Sequence, residues 1–271
     1  MVSVCVPVYN GANHLSECLR SIAGQQGVAL EIVVSDDSST DNSLEIVESV
    51  RREFSAVSWN IIRHAARLGM AGNWNACVEV ATGDLIKVMG QDDILYPGCL
   101  ESQVGALCTD PEIAFCACSA DIISAKGKKI LKRKRKYGEG VHDGNELISK
   151  CLGRAFNFFG EPVTALFRKA DFKRVGGFDP TMSYFIDLDM WVRLLRDGKF
   201  AFIEDSLCGF RIHRSGASFS LQGEGYGEFL RVEQKMDFWK PLNAAQLTVR
   251  KFQAACDSMI RLVAYRILGS I

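Results

Sequence analysis

Two pairs of adjacent aspartates, Asp36-Asp37 and Asp92-Asp93, stand just beyond apolar runs in this 271-residue chain. Carboxylates crowded on one rim repel one another. A stable fold keeps such a cluster most readily to hold a divalent cation with oxygen ligands. Asp pairs also serve as turn residues and helix caps. Both readings fit one pair alone; two pairs on one rim favour the cation. Tyr9 ends the run that carries Pro7 and Val8 and adds a flat ring to the same rim. Asp187 opens a helical stripe of Leu188, Trp191 and Leu195, where it can cap a helix. There is no G-x-x-x-x-G-K-[ST] loop and no G-x-G-x-x-G after the first run. A phosphate would then be held mainly by metal rather than by a glycine nest.

The order of elements must bring these residues together. VSVCVPVY (2–9) is a nearly continuous apolar run, as in a strand buried on both faces. Leu15, Cys18, Leu19 and Ile22 follow at helical spacing. EIVVS (31–35) and WNIIRH (59–64) read as the next strands, separated by a helix marked by Leu44, Val47, Val50 and Phe54. Trp74, Cys77, Val78 and Ala81 mark a third helix, with Gly83 expected at its C′ position, before the strand DLIKVMG (84–90). This alternation predicts a mostly parallel, doubly wound sheet. Ligands of such sheets bind beyond the carboxyl ends of the strands, where both Asp pairs fall. Further on, 113–123 reads as a strand, 126–136 as an exposed hairpin or loop, and 143–152 as a helix. A strand near 163–168 follows, then two short strands at 200–205 and 207–213. From about 222 the pattern is helical.

Composition narrows the function classes. Lys plus Arg and Asp plus Glu each number 32, so a basic, nucleic-acid-coating protein is not expected. Hydrophobic residues at 48% and charged residues at 24% exclude a disordered or fibrous chain. The ten cysteines show no C-x-x-C spacing, against a zinc ribbon or thioredoxin-like site. They fit a reducing cytoplasm, where Cys is a small hydrophobe. The start lacks the features of a signal peptide, and no apolar run approaches a membrane span. The expected location is cytoplasmic, with peripheral contact at the inner face of the cell membrane as an option.

VSVCVPVYNGANHLSECLRSI, EIVVSDDSSTDNS and GMAGNWNACVEVATGDLIKVMGQDD, in that order, resemble glycosyltransferase family 2 with the GT-A fold. GGFDPTMSYFIDLDMWVRLL followed by FRIHRSGAS resembles the family's second half. The matches run from residue 2 to about 218. The resemblance implies an α/β class with a GT-A-type doubly wound, mostly parallel sheet. It divides the chain into a glycosyltransferase domain at 1–218 (nucleotide-sugar half 1–110, acceptor half 111–218) and a helical C-terminal extension at 219–271. It also implies a nucleotide-diphospho-sugar donor, Mn²⁺ or Mg²⁺, and inverting transfer to a saccharide or lipid-linked saccharide. A narrower likeness points to bacterial surface polysaccharide or lipopolysaccharide assembly.

Carried over by position, Pro7, Val8 and Tyr9 would hold the base, and Asp37 would accept from its edge, favouring UDP- or dTDP-sugars. Asn75 would lie near the donor. Gln91-Asp92-Asp93 matches the family's Asp-x-Asp element, with Gln at its first position. Asp92 would bind ribose or metal-bound water, and Asp93 would ligate the metal. Asp187 matches the base, although Ile186 stands where the family usually has Glu, which leaves Asp189 as a rival. His213 would complete the metal shell or hold the diphosphate, and Arg211 would meet the diphosphate or pair with an acid. A non-catalytic nucleotide-sugar binder of the same fold is the alternative. A sugar-phosphate nucleotidyltransferase would need a Gly- and Arg-rich loop that PVYNGANH lacks. His14, His64 and His142 show no partner in sequence.

Two further features point outward. Residues 126–136 hold eight basic residues in eleven, either a solvated loop or a contact for anionic lipid or an acidic acceptor. In the tail, Phe252, Cys256, Met259, Ile260, Val263 and Ile267 share a helical face, while Arg250, Lys251 and Arg261 lie largely away from it. That face is expected to pack on its own domain, with a second copy or a membrane surface as alternatives.

Overall fold

The computed structural model describes residues 1–133, 137–196, 198–213, 216, 225–237, 239 and 242–268. The first half follows the predicted alternation: β1 (Val2–Val8), α1 (Leu15–Ala23), β2 (Leu30–Asp36), α2 (Ser43–Glu53), β3 (Ser58–Arg63), α3 (Gly69–Val80) and β4 (Leu85–Val88). All residues of β1 are buried, which explains its unbroken apolar run. The chain continues through β5 (Ile94–Leu95), α4 (Cys99–Leu107), β6 (Ile113–Ile123), β7 (Lys129–Lys132), β8 (Gly140–Asp143) and α5 (Gly144–Arg154). It then forms β9 (Ala165–Arg168), α6 (Lys169–Arg174), α7 (Ile186–Leu195), β10 (Lys199–Arg211), α8 (Gly225–Gln234) and α9 (Ala244–Leu268).

One sheet joins both halves, in the order β3-β2-β1-β4-β9-β6-β10-β5. β3, β2, β1 and β4 pair in parallel, as do β6 and β10. β9 runs antiparallel between β4 and β6. One apolar layer packs α3, α5, α7 and α8 on one face of the sheet; the other packs α1, α2 and α4 on the opposite face. Trp191 is in the first layer, its ring stacked 4.8 Å from that of Phe115.

Several expectations change. The strands expected at 200–205 and 207–213 are one strand, β10, whose register against β6 shifts around Ile203–Cys208. The polar Glu204-Asp205-Ser206 interruption is thus a bulge-like irregularity, not a strand end. Gly83 does not cap α3, which ends at Ala81 in extended backbone. A Cβ on Gly83 would lie 2.6 Å from Ser3 Oγ and 2.8 Å from the Met1 carbonyl, so the glycine allows a close backbone approach instead. Helices α4 and α6 were not expected. The basic run enters a hairpin, with β7 antiparallel to β6; its residues 134–136 lie outside the described residues, as does the expected boundary at 218.

The tail also differs. It forms two helices, and α9 meets the domain through Arg250, 1% exposed. Arg250 donates to Glu233 (2.9 Å) and the Leu152 carbonyl (3.2 Å). Phe252, expected to pack inward, is 71% exposed. A paired guanidinium with a long apolar stem has taken the inward place. Among the described residues, no helix is long and apolar enough to cross a membrane.

Candidate active site

β1 and β2 deliver Tyr9 and Asp37 to the carboxyl edge of the sheet, each just past a strand end. Gln91 fixes the backbone of Tyr9: the Tyr9 N–H donates to Gln91 Oε1 (2.9 Å), and Gln91 Nε2 donates to the Tyr9 carbonyl (3.1 Å). An amide can give and accept in this way, whereas an ionised Asp only accepts. This accounts for Gln at the first position of the 91–93 element. Arg67 lies over the Tyr9 ring at 3.5 Å from its centroid, a cation–π contact.

The first Asp pair works as turn and cap. Asp36 accepts from the Ser39 N–H (3.1 Å). Asp37 accepts from the Leu68 and Gly69 N–H groups at the start of α3 (2.6 and 3.1 Å), and the Arg67 guanidinium is 3.6 Å away. Each Asp37 oxygen retains lone-pair capacity for a further donor.

The second pair forms the polar corner of the site. Asp92 Oδ2 lies 2.7 Å from His213 Nε2, and Asp93 Oδ1 accepts from the Arg211 N–H (2.9 Å). A Cβ on Gly90 would sit 2.6 Å from Asp92 Oδ1 and 3.2 Å from Asp93 Oδ2, so glycine is what lets both carboxylates fold back there. Burial first, and then the Asp92 charge, push the Asp93 carboxyl well above the usual carboxylate range. A bound divalent cation would offset that cost. The two carboxylates supply the oxygen ligands that Mg²⁺ and Mn²⁺ take, and an imidazole nitrogen suits Mn²⁺ better than the harder Mg²⁺. Among the described residues, no three His, Cys, Asp or Glu side chains are already gathered as a cage.

Arg211 does not match the expected diphosphate contact. It is 3% exposed. Its guanidinium donates to the Asp92, Ser124 and Ala125 carbonyls (2.6, 3.2 and 3.2 Å) and to Glu17 (2.6 Å). With these donors committed to protein partners, it braces the corner from behind. His14 on the loop before α1 was also unforeseen; its ring lies 5.0 Å from that of His213. Burial, then Arg211 and His213, push its pKa below the ordinary value, which keeps it neutral at pH 7.

Asp187 is the second residue of α7. It accepts from Asn157 Nδ2 (2.9 Å) and from the Leu188 N–H (2.7 Å). Asp189 is fully buried and neutralised by Arg193 (2.6 Å) and Lys235 (2.6 Å). Residues two apart on a helix face different ways, and here the second acid is locked in an ion pair. Asn75 joins neither cluster. Its amide donates to the Phe178 carbonyl (2.8 Å) and accepts from the Phe178 N–H (2.9 Å), tying α3 to the turn before α7.

Lys235 also reaches Asp179 at 2.6 Å. Burial opposes the Asp179 charge, but the hydrogen bonds from Lys235 and Thr181 prevail and hold its pKa at about 2, against 3.8 ordinarily. A depressed acid stabilises the fold above its unfolded pKa, and that contribution is lost as pH falls through the folded value. Asp179→Asn is expected to cost up to about 2 kcal/mol at pH 7. The gap from wild type should close between about pH 4 and pH 2 in urea titrations; a gap independent of pH would refute the pairing.

His14, Glu17, Arg67 and Asn157 are therefore site neighbours that sequence reasoning missed. Only Arg67, just before the LGMAGNWN stretch, carried a local hint. The others are polar residues without helical or strand periodicity to mark them.

The doubly wound sheet with an Asp pair at its carboxyl edge is the GT-A glycosyltransferase fold. S. aureus TarS in complex with UDP-GlcNAc superposes with a TM-score of 0.71 at 19% identity, over 90% of this chain and 69% of that one. Mannosyltransferase PcManGT from Pyrobaculum calidifontis, in complex with GDP-Man and Mn²⁺, gives 0.64 at 19% identity, over 99% and 83%. The Glycosyl transferase family 2 profile matches residues 3–176, and the chain belongs to that family. An uncharacterised protein of Mycobacterium tuberculosis, MT1568, is 32% identical over 214 residues, 76% of this chain and 66% of its own length. The chain thus spans just under two thirds of that relative. It spans only 23% of the chondroitin synthase of Pasteurella multocida, to which it is 26% identical over 239 residues.

Proposed function

We propose that this chain is a metal-assisted, inverting glycosyltransferase. It moves a sugar from a UDP- or dTDP-sugar to a hydroxyl of a saccharide or lipid-linked saccharide, in bacterial surface polysaccharide assembly. The observation that carries the reading is the Asp92–Asp93 corner, with His213 Nε2 2.7 Å from Asp92 and the Asp93 carboxyl buried beside it. Asp93 and His213 would hold Mn²⁺ or Mg²⁺, with Asp92 on ribose or metal-bound water. The ion, when bound, neutralises the charge that develops on a departing diphosphate.

The chain's own residues do the rest. Pro7, Val8 and Tyr9 form the shelf for the base, and Asp37 accepts from a pyrimidine N3–H. Arg67 already covers the Tyr9 ring, so it either yields to the base or closes over it. Asp187 takes the proton from the attacking hydroxyl, held by Asn157. Asn75 serves through the Phe178 turn, and Arg211 holds the Asp92–Asp93 backbone. The domain spans 1–218 and the extension 219–271. The basic hairpin and the exposed Phe252 and Met259 suit peripheral contact with an anionic membrane at the cytoplasmic face, or a second copy through α9; the burial of Ile260, Val263 and Ile267 lies outside what the structure describes. Proteins of this fold hold both uridine and guanosine sugars, so the base must be chosen by this chain's residues.

A thermal-shift series with UDP, dTDP and GDP, each with Mn²⁺ or EDTA, tests the reading. Ligand at about 100 times its dissociation constant adds about 2.7 kcal/mol, so UDP or dTDP with Mn²⁺ should raise the midpoint by several degrees. EDTA or Tyr9→Ala should remove most of that rise. A shift given only by GDP, or one insensitive to EDTA, would sink the donor assignment.

A further inference from the structure

We propose that helix α8, outside the family-matched segment, positions the base, with Glu228 as the positioning residue. This rests on Asp187 being that base. The N–H groups of Ser183, Tyr184 and Phe185 all donate to the Glu228 carboxylate, at 2.7, 2.8 and 2.9 Å. Phe185 immediately precedes α7, and Asp187 is the second residue of that helix. Glu228 is 3% exposed, so its carboxylate is buried and accepts charge-assisted bonds, the strong kind.

The rest of the same helix face holds the same segment. Arg231 donates to the Thr181 carbonyl (3.0 Å). Lys235, just past the helix end, bridges Asp179 and Asp189 (2.6 Å each). Positions 228, 231 and 235 follow the i, i+3, i+7 spacing of one helical stripe. The stripe therefore grips residues 179–189 at both ends. Residues 177–185 have no strand or α-helix of their own, and three consecutive N–H groups running from half-buried Ser183 and Tyr184 to buried Phe185 need acceptors. Glu228 supplies them from outside. It touches no reacting atom; it fixes where α7 begins, and so where the Asp187 carboxylate stands. A displacement of about 1 Å at such a group can cost about 10²-fold in rate.

The test uses the full chain, with Glu228→Gln as the near-isosteric variant and Glu228→Asp beside it. Amide hydrogen exchange should quicken in residues 183–190 of Glu228→Gln, while residues 2–9 and 85–93 stay protected as in wild type. UDP release from UDP-N-acetylglucosamine with Mn²⁺ should fall about 10- to 100-fold in kcat. Calorimetric affinity for UDP with Mn²⁺ should stay within about twofold, because the donor corner is built on other elements. Glu228→Asp, which keeps the charge, should recover part of the loss. Unchanged exchange at 183–190 overturns the clamp. Quickened exchange with unchanged kcat, or kcat and UDP affinity falling together, overturns its role toward the base. Asp187→Asn in the same assay separates the two readings: full turnover there sinks the base assignment instead. If wild type releases no UDP from this donor, N-acetylglucosamine is not the sugar it carries and the exchange arm alone decides the clamp.

Discussion

Asp93→Asn is expected to abolish metal-assisted nucleotide binding, weakening the affinity for UDP with Mn²⁺ by at least about 10²-fold. Asn keeps an oxygen for the Arg211 N–H, which Asp93 accepts at 2.9 Å, so the corner retains its shape. What disappears is the anion. Without a cation, burial and Asp92 push the Asp93 carboxyl well above its usual range. An acid whose folded pKa is raised destabilises the fold once pH exceeds the unfolded value. The melting temperature without metal should therefore be equal to or higher than that of wild type. Isothermal calorimetry and thermal melts together decide the matter. Unchanged affinity for UDP with Mn²⁺ refutes the ligand role, and loss of affinity with a collapsed melting temperature refutes the local account.

The second large effect separates two acids two residues apart. Asp187→Asn should lower kcat by about 10²–10⁴-fold, the usual contribution of general-base catalysis, with donor affinity and stability nearly unchanged. Asp189→Asn should do the reverse. Asp189 is buried between Arg193 and Lys235, and removing one partner of a buried pair costs about 3–5 kcal/mol. Its melting temperature should drop by many degrees, while the folded fraction keeps most of its turnover. If Asp189→Asn instead stays folded and loses turnover while Asp187→Asn retains it, the base is Asp189. The two variants differ in the same two measurements, so the outcome does not depend on the acceptor used.

Much of the first half was legible because β1, β2 and β4 are buried on both faces. An apolar run then needs no alternation to be read, and β1, β2 and β4 all show it. Helix α4 was hidden by its own core: Cys99, Leu100, Gln103 and Leu107 face inward, but a buried Gln interrupts the apolar stripe. Gln103 is there to satisfy Lys87 and the Thr164 carbonyl (3.0 and 2.6 Å), partners that no local window contains. The bulge in β10 was read as a break because polar residues in a strand look the same in either case.

By itself the sequence determined the alternation from β1 to β4, the parallel pairing of those strands, and the delivery of Tyr9, Asp37, Asp92 and Asp93 to one edge. Those follow from local periodicity and from the rule that strand ends converge in a doubly wound sheet. Tertiary structure alone decided what each polar side chain does there. Arg211 turned from a donor contact into a buried brace because Glu17, 194 residues away, and the turn at Ser124 and Ala125 take its protons. Asp189 was silenced by Lys235, 46 residues on, and Arg250 displaced Phe252 from the domain face through Glu233. Hydrogen bonds and ion pairs are directional and short-ranged. Their partners are chosen by the three-dimensional packing, and the linear pattern carries no record of it.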